Sequence, residues 1–166
     1  MTDNSKYMFL ITGTPGSGKS TLAHKLQHNS PKFINPIDSI CEADQYFYIV
    51  GKGEYAFNPK LLWKAHAWCQ SKVKDQMIAG NNVIVSNTNI RPRNRKPYFD
   101  LAKSYGYNVV YIHLTTQFKN VHSVPTDVVE RMRDNYVELT SSEKDMVLDA
   151  EDMSDELCSL LATCGI

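Results

Sequence analysis

Charge of one sign is the first thing missing. Eighteen basic residues balance eighteen acidic ones over 166 positions, so no net field draws in a polyanion, and contact with nucleic acid must come from a local patch. Cysteine is sparse as well. Cys41, Cys69, Cys158 and Cys164 form no C-x-x-C pair, which argues against a zinc or dithiol redox site and against a disulfide-stapled secreted scaffold. Apolar runs are short: Tyr7 to Ile11 stops at Thr12 and Gly13, far below the ~20 residues of a membrane span. No leader pattern opens the chain. The expectation is a reducing, cytoplasmic setting with no membrane contact. With 42% hydrophobic and 22% charged residues the chain is neither disordered nor fibrous. It is expected to form one domain over residues 1–166, burying roughly 70% of its unfolded surface.

Glycine is scarce too, with eight in all, yet three fall within six positions of the stretch ITGTPGSGKST. Gly13-Thr14-Pro15-Gly16-Ser17-Gly18-Lys19-Ser20 satisfies G-x-x-x-x-G-K-[ST] and follows an apolar run, as a phosphate-binding loop requires. The glycines let main-chain N–H groups turn inward on a phosphate, and the following helix adds its unpaired N-terminal donors. Lys19 is placed to neutralise charge between the β- and γ-phosphates of ATP, and Ser20 to offer a hydroxyl to Mg²⁺. Residues Gly13 to Thr21 are therefore the expected nucleotide site.

Around this loop, apolar strands alternate with helical periodicity. Strands are expected at Tyr7–Ile11, Ile37–Cys41, Val83–Val85 and in NVVYIHL. Helices are expected at Lys19–His28, across Pro59–Ala79 on the repeat of Leu62, Ala65, Cys69, Val73 and Ile78, and after Pro97. Another is expected to begin at Pro125, with Val128, Val129, Met132 and Tyr136 on one face. A C-terminal helical segment over about residues 140–166 carries Met153, Leu157, Leu160 and Leu161. Such alternation implies an α/β fold with a mainly parallel sheet sandwiched by helices.

The segments GTPGSGKST, CEADQYF, VIVSNTN, RPRNRKPYFDLAKSYGYNVVY and VPTDVVERM, in this order, resemble the kinase domain of bacteriophage-type polynucleotide kinases. YAFNPKLLWKAHAWCQ resembles the free-standing polynucleotide-kinase-like P-loop proteins. The resemblance runs from about Tyr7 to Asn135 and implies a nucleotide-kinase-like P-loop fold with Asp44 as the base for the attacking hydroxyl. Glu42 is the competing carboxylate, two residues earlier; one of the pair is free to orient metal waters instead. Where the family carries a metal-orienting aspartate this chain has Asn87, so Mg²⁺ would lean on Ser20, the phosphates and Asp44. Where the family has an acceptor-gripping arginine, this chain has Phe47.

Acceptor contacts are expected from Asn87, Asn89, Arg91 and Arg93. The RPRNRK run, Arg91 to Lys96, suits a phosphodiester backbone or is a solvated junction. Tyr46, Phe47, Tyr48, Tyr55 and Phe57 offer stacking surfaces, with half or more expected in the core. Trp63 and Trp68 are expected to pack, and His66 to be a hydrogen-bonded structural histidine. Lys119 and Arg131 are the candidates for a phosphate lid. The expected activity is ATP-dependent transfer to a nucleic-acid hydroxyl, with DNA ahead of RNA: a 5′-hydroxyl, or the hydroxymethyl group of a modified pyrimidine. A small-molecule kinase and a silent nucleotide-binding module are the alternatives.

Overall fold

The computed structural model describes residues 5–28, 37–115 and 124–147. At its centre lies a parallel sheet built from Tyr7–Gly13 (β1), Ile37–Cys41 (β2), Asn82–Ser86 (β3) and Asn108–Leu114 (β4), in the order β2-β3-β1-β4. Every residue of β1 and β3 is buried, and a strand covered on both faces has no polar side to present. This is why both read as apolar runs.

Successive side chains still point to opposite faces. On one face Phe9, Ile11, Ile84, Val110 and Ile112 pack with Leu22, Ala23 and Leu26 of helix Lys19–His28 (α1). The other face is covered by helices Gln45–Val50 (α2), Leu62–Ile78 (α3) and Pro92–Tyr105 (α4). There Met8, Leu10, Val83 and Val85 meet Phe47, the Ala65–Cys69–Val73–Met77 stripe of α3, and Tyr98, Phe99 and Ala102 of α4. A spacing of four residues puts that stripe on one side of the helix. The expected α/β sandwich is thus what forms.

α1, β2 and β4 have the bounds expected from sequence, while two helices do not. The Pro59–Ala79 segment begins as a single 3-10 turn, Pro59–Leu61, whose Lys60 N–H is capped by Asn58 Oδ1 at 3.0 Å; α3 follows. The helix expected after Pro97 starts at Pro92 instead. Proline costs nothing at a first helical position, where its N–H would have no partner. Asn94 Oδ1 closes the start by accepting from Arg91 N–H at 3.3 Å. Pro97 is then tolerated inside the helix, which ends at Gly106 with a left-handed φ of 72°.

Beyond β4, Pro125 precedes helix Thr126–Asp134 (α5) as expected, but the helix stops short of Tyr136, whose ring stacks on His113 with centres 3.7 Å apart instead of sharing the helical face. Thr140 and Glu143 form a capping box on the short helix Ser141–Lys144 (α6). Lys119 and residues 148–166 of the expected C-terminal helical segment lie outside the described residues. Among the described residues, no helix is long and apolar enough to cross a membrane.

Candidate active site

The C-terminal end of β1 runs straight into the glycine-rich loop. A Cβ on Gly13 would lie 2.4 Å from Ser17 Oγ and 2.8 Å from the Leu114 carbonyl oxygen, so the loop closes this tightly only on glycine. Leu22 N–H bonds back to the Gly18 carbonyl at 3.0 Å. The amides of Lys19, Ser20 and Thr21, one turn earlier, are therefore left to a ligand by the geometry of a helix start. Ser17 Oγ is buried with no hydrogen-bond partner.

Lys19 Nζ donates to the Gly13 and Thr14 carbonyls, each at 2.9 Å. Burial pulls its pKa down to about 8, against the opposing charges of Glu42 and Asp44. A desolvated ammonium beside the unpaired amides of a helix start fits a nucleotide polyphosphate. Among the described residues no group of three or more His, Cys, Asp or Glu is set to hold a metal without such a ligand.

Across the loop stands the turn that joins β2 to α2. Glu42 Oε1 accepts from Ser20 Oγ at 3.4 Å. Burial raises the Glu42 pKa and the Asp44 charge adds to this, while the Ser20 hydrogen bond and Lys19 oppose it. Asp44 begins α2 without using its side chain as a cap, and its Oδ1 accepts from Tyr55 OH at 3.4 Å. Burial and the adjacent Asp44 push that phenol up to about 12, so it stays a donor. Tyr55 is eleven positions from its partner, a distance at which sequence offers no signal for the contact.

This turn is clamped from two sides. Asn87, at the end of β3, accepts from Ala43 N–H at 2.9 Å through Oδ1, and donates through Nδ2 to Tyr98 OH at 3.3 Å and to Cys69 Sγ at 3.7 Å. Gln45 accepts from Glu42 N–H at 3.4 Å and donates to the Ile40 carbonyl at 2.9 Å. Asn87 is buried, so its amide is committed to holding the carboxylate turn. Asn89 is buried too, at a left-handed φ of 44°, and its Nδ2 has no hydrogen-bond partner.

The RPRNRK run divides. Arg91 and Arg93 are exposed and line a cavity of about 410 Å³ with Asn135 and Tyr136 on its other wall. Arg95 is fully buried: it pairs with Glu143 at 3.1 Å, donates to the Asn89 and Glu138 carbonyls, and lies between the Tyr111 and Tyr136 rings. Lys96 pairs on the surface with Asp100 at 2.6 Å. The four-charge patch expected from sequence is therefore three surface charges and one internal strut. Arg131 is exposed on α5 and paired with Asp127 at 3.3 Å.

Among the aromatics, Phe47 is core, Tyr46 and Tyr55 are half-buried, and Tyr48 and Phe57 are exposed. Trp68 packs near Tyr46, with ring centres 6.3 Å apart, as expected. Trp63 does not pack: it is 68% exposed. His66 is half-buried, and burial lowers its pKa against the pull of Asp44.

A parallel sheet, a glycine loop opening a helix, and a half-buried lysine under the influence of two carboxylates together define a P-loop kinase-like fold. Solved structures agree on that fold. Kti12 of Chaetomium thermophilum, in complex with ADP-AlF3, superposes with a TM-score of 0.66 at 15% identity over 94% of each chain. The Mycobacterium tuberculosis APS kinase CysC, in complex with AMPPNP and APS, gives 0.60 at 11% identity over 98% of this chain and 99% of its own. A chain of the Pnkp1/Rnl/Hen1 complex gives 0.54 at 17% over 95% of this chain and 50% of its own. The chain belongs to the AAA domain family, which matches residues 8–139. Human NEDD4-binding protein 2 is 33% identical over 144 residues, a match that takes in 81% of this chain and 8% of that protein's length.

Proposed function

We propose that the protein is an ATP-dependent kinase that transfers the γ-phosphoryl group to a hydroxyl of a nucleic acid, DNA ahead of RNA. The observation that carries this reading is the setting of Lys19: half-buried and bonded to the loop carbonyls, with Glu42 and Asp44 both acting on it from across the cradle. An alcohol lying between them would be within reach of a carboxylate and of the phosphoryl group at once.

In this reading Asp44 takes the acceptor proton as the new O–P bond forms and the bond from the γ-phosphorus to the β–γ bridging oxygen breaks, ADP leaving. Tyr55 OH holds the Asp44 carboxylate in place. Glu42 and Ser20 are the groups that would hold Mg²⁺, with Asn87 supporting the turn from behind. When bound, the cation would offset phosphate charge. Arg91 and Arg93 offer exposed cations for acceptor phosphates. Together with the resemblance to phage-type polynucleotide kinases, this favours a 5′-hydroxyl or a hydroxymethylpyrimidine as the acceptor.

A small-molecule acceptor is the second reading. It is favoured by the similarity to APS kinase along the full length of both chains. The test offers γ-labelled ATP and Mg²⁺ with single-stranded 5′-hydroxyl DNA and RNA, hydroxymethylpyrimidine DNA, free nucleosides and adenosine phosphosulfate. Label on a polynucleotide supports the main reading, and label on small acceptors alone supports the second. ATP binding without transfer to any acceptor would leave a nucleotide-binding module.

A further inference from the structure

Three aromatic rings in the segment that follows Asp44 stand in solvent: Tyr48 is 44% exposed, Phe57 53% and Trp63 68%. Single exposed rings are ordinary, whereas a gathering of them marks an interaction site. Two of these rings, Phe57 and Tyr48, are rooted in the packing that holds the carboxylate. Phe57 meets buried Phe47 edge-on at 5.1 Å, and Tyr48 rests against Tyr55 at 5.2 Å. Tyr55 in turn donates to Asp44. Trp63 lies in the first turn of α3 and His66 follows three positions later, a spacing that makes them neighbours on one helix face.

Charge decides what such a surface takes. Between residues 48 and 64, Lys52, Lys60 and Lys64 face only Glu54. None of the three lysines has an ion pair among the described residues, and Lys64 Nζ lies 5.5 Å from the Trp63 ring centre. Protein–protein interfaces are depleted in lysine. Flat rings interleaved with free cations instead match a strand that offers base faces and phosphates in turn.

We propose that Tyr48, Phe57 and Trp63, with Lys52, Lys60 and Lys64, form a platform on which unpaired bases of a single-stranded nucleic acid stack, leading an acceptor hydroxyl toward Asp44. The final clause rests on the kinase reading; the binding surface does not. A duplex keeps its base faces covered, so the platform discriminates by strandedness.

The test uses Trp68→Phe protein, in which Trp63 is the sole tryptophan, and follows its fluorescence as a 12-nucleotide 5′-hydroxyl oligo(dT) is added. Quenching is expected, with inorganic tripolyphosphate and the matching duplex giving none. Separately, polarisation of dye-labelled oligo(dT) should show about ten-fold weaker binding to Trp63→Ala and near-parental binding to Trp63→Phe, the scale of one lost base stack. Binding should persist in Asp44→Asn protein, and in transfer assays Trp63→Ala should raise KM for the oligonucleotide while sparing KM for ATP. Equal affinity of Trp63→Ala and parent, or equal binding of duplex and single strand, overturns the platform. Transfer that ignores Trp63→Ala overturns it with the kinase reading intact. Trp63-dependent binding without transfer to any acceptor sinks the kinase reading alone.

Discussion

Two strand-to-helix junctions lie side by side at the C-terminal ends of the two central strands. β1 leads through the glycine loop into α1, and β3 leads through Asn87-Thr88-Asn89 into α4. They are stitched together, Gly13 N–H donating to the Thr88 carbonyl and Asn87 N–H to the Ile11 carbonyl, both at 3.3 Å. In the first junction the binding groups are main-chain amides. In the second the polar side chains turn inward: Asn87 braces the β2–α2 turn, and Arg95 ties the second junction to the Glu138–Glu143 segment. Main-chain donors at a helix start are set by local chain geometry, whereas a polar side chain has the role its partners leave it.

The separation can be broken experimentally, beginning with the largest effect. Asp44→Asn should cut phosphoryl transfer by ~10²- to 10⁴-fold, the range for losing a general base. The ATP dissociation constant, measured by calorimetry, should hold within about two-fold. A parallel loss of ATP affinity would mean that the carboxylate turn and the glycine loop act as one unit.

Arg95 and Arg91 provide the next contrast, because they sit four residues apart in one basic run. Arg95→Ala leaves Glu143 without its partner in the interior and should cost ~3–5 kcal/mol in urea unfolding. Arg91→Ala should change stability by no more than ~0.5 kcal/mol. If the two variants unfold alike, Arg95 is not the strut described. Asn87→Ala comes third: it strands the buried Ala43 N–H and should cost ~1–3 kcal/mol. The same variant should lower transfer more than ATP binding, since what it loosens is the Asp44 turn.

The smallest effect is a pH dependence on the nucleotide side. Bound phosphates favour the Lys19 ammonium, so its pKa in the complex lies above the value of about 8 in the free protein. ATP affinity should be level below pH 8. It should fall above pH 8, by up to ~ten-fold per pH unit, until the pKa of the complex is reached. Calorimetry near pH 9 in buffers of different ionisation heat should register proton uptake on binding. Affinity that rises with pH in this range would mean that Lys19 does not face the phosphates.

The sheet was legible because parallel strands buried on both faces must be apolar throughout. α1, β2 and β4 accordingly formed with the bounds read from sequence, and β1 and β3 where their apolar runs placed them. The glycine loop was legible because its spacing encodes backbone geometry directly. Other features were hidden by competition between equivalent signals. Pro97 read as the helix start, but the helix begins at Pro92, where Asn94 Oδ1 accepts from Arg91 N–H. RPRNRK reads as one cationic patch until Glu143, forty-eight positions from Arg95, claims the third arginine. Trp63 and Trp68 share a helix, and their opposite fates depend on which face meets Tyr46.

The order of residues by itself determined the glycine-rich loop and the alternation of strand and helix, since both follow from interactions within a few positions of the chain. Only the tertiary structure decided which polar side chains are free to act. Asn87 and Arg95 are spent inside, Glu42 reaches Ser20, and Trp63 stays in water. A side chain's chemistry depends on its desolvation and its partners, and those partners come from segments that are distant in sequence until the sheet brings them together.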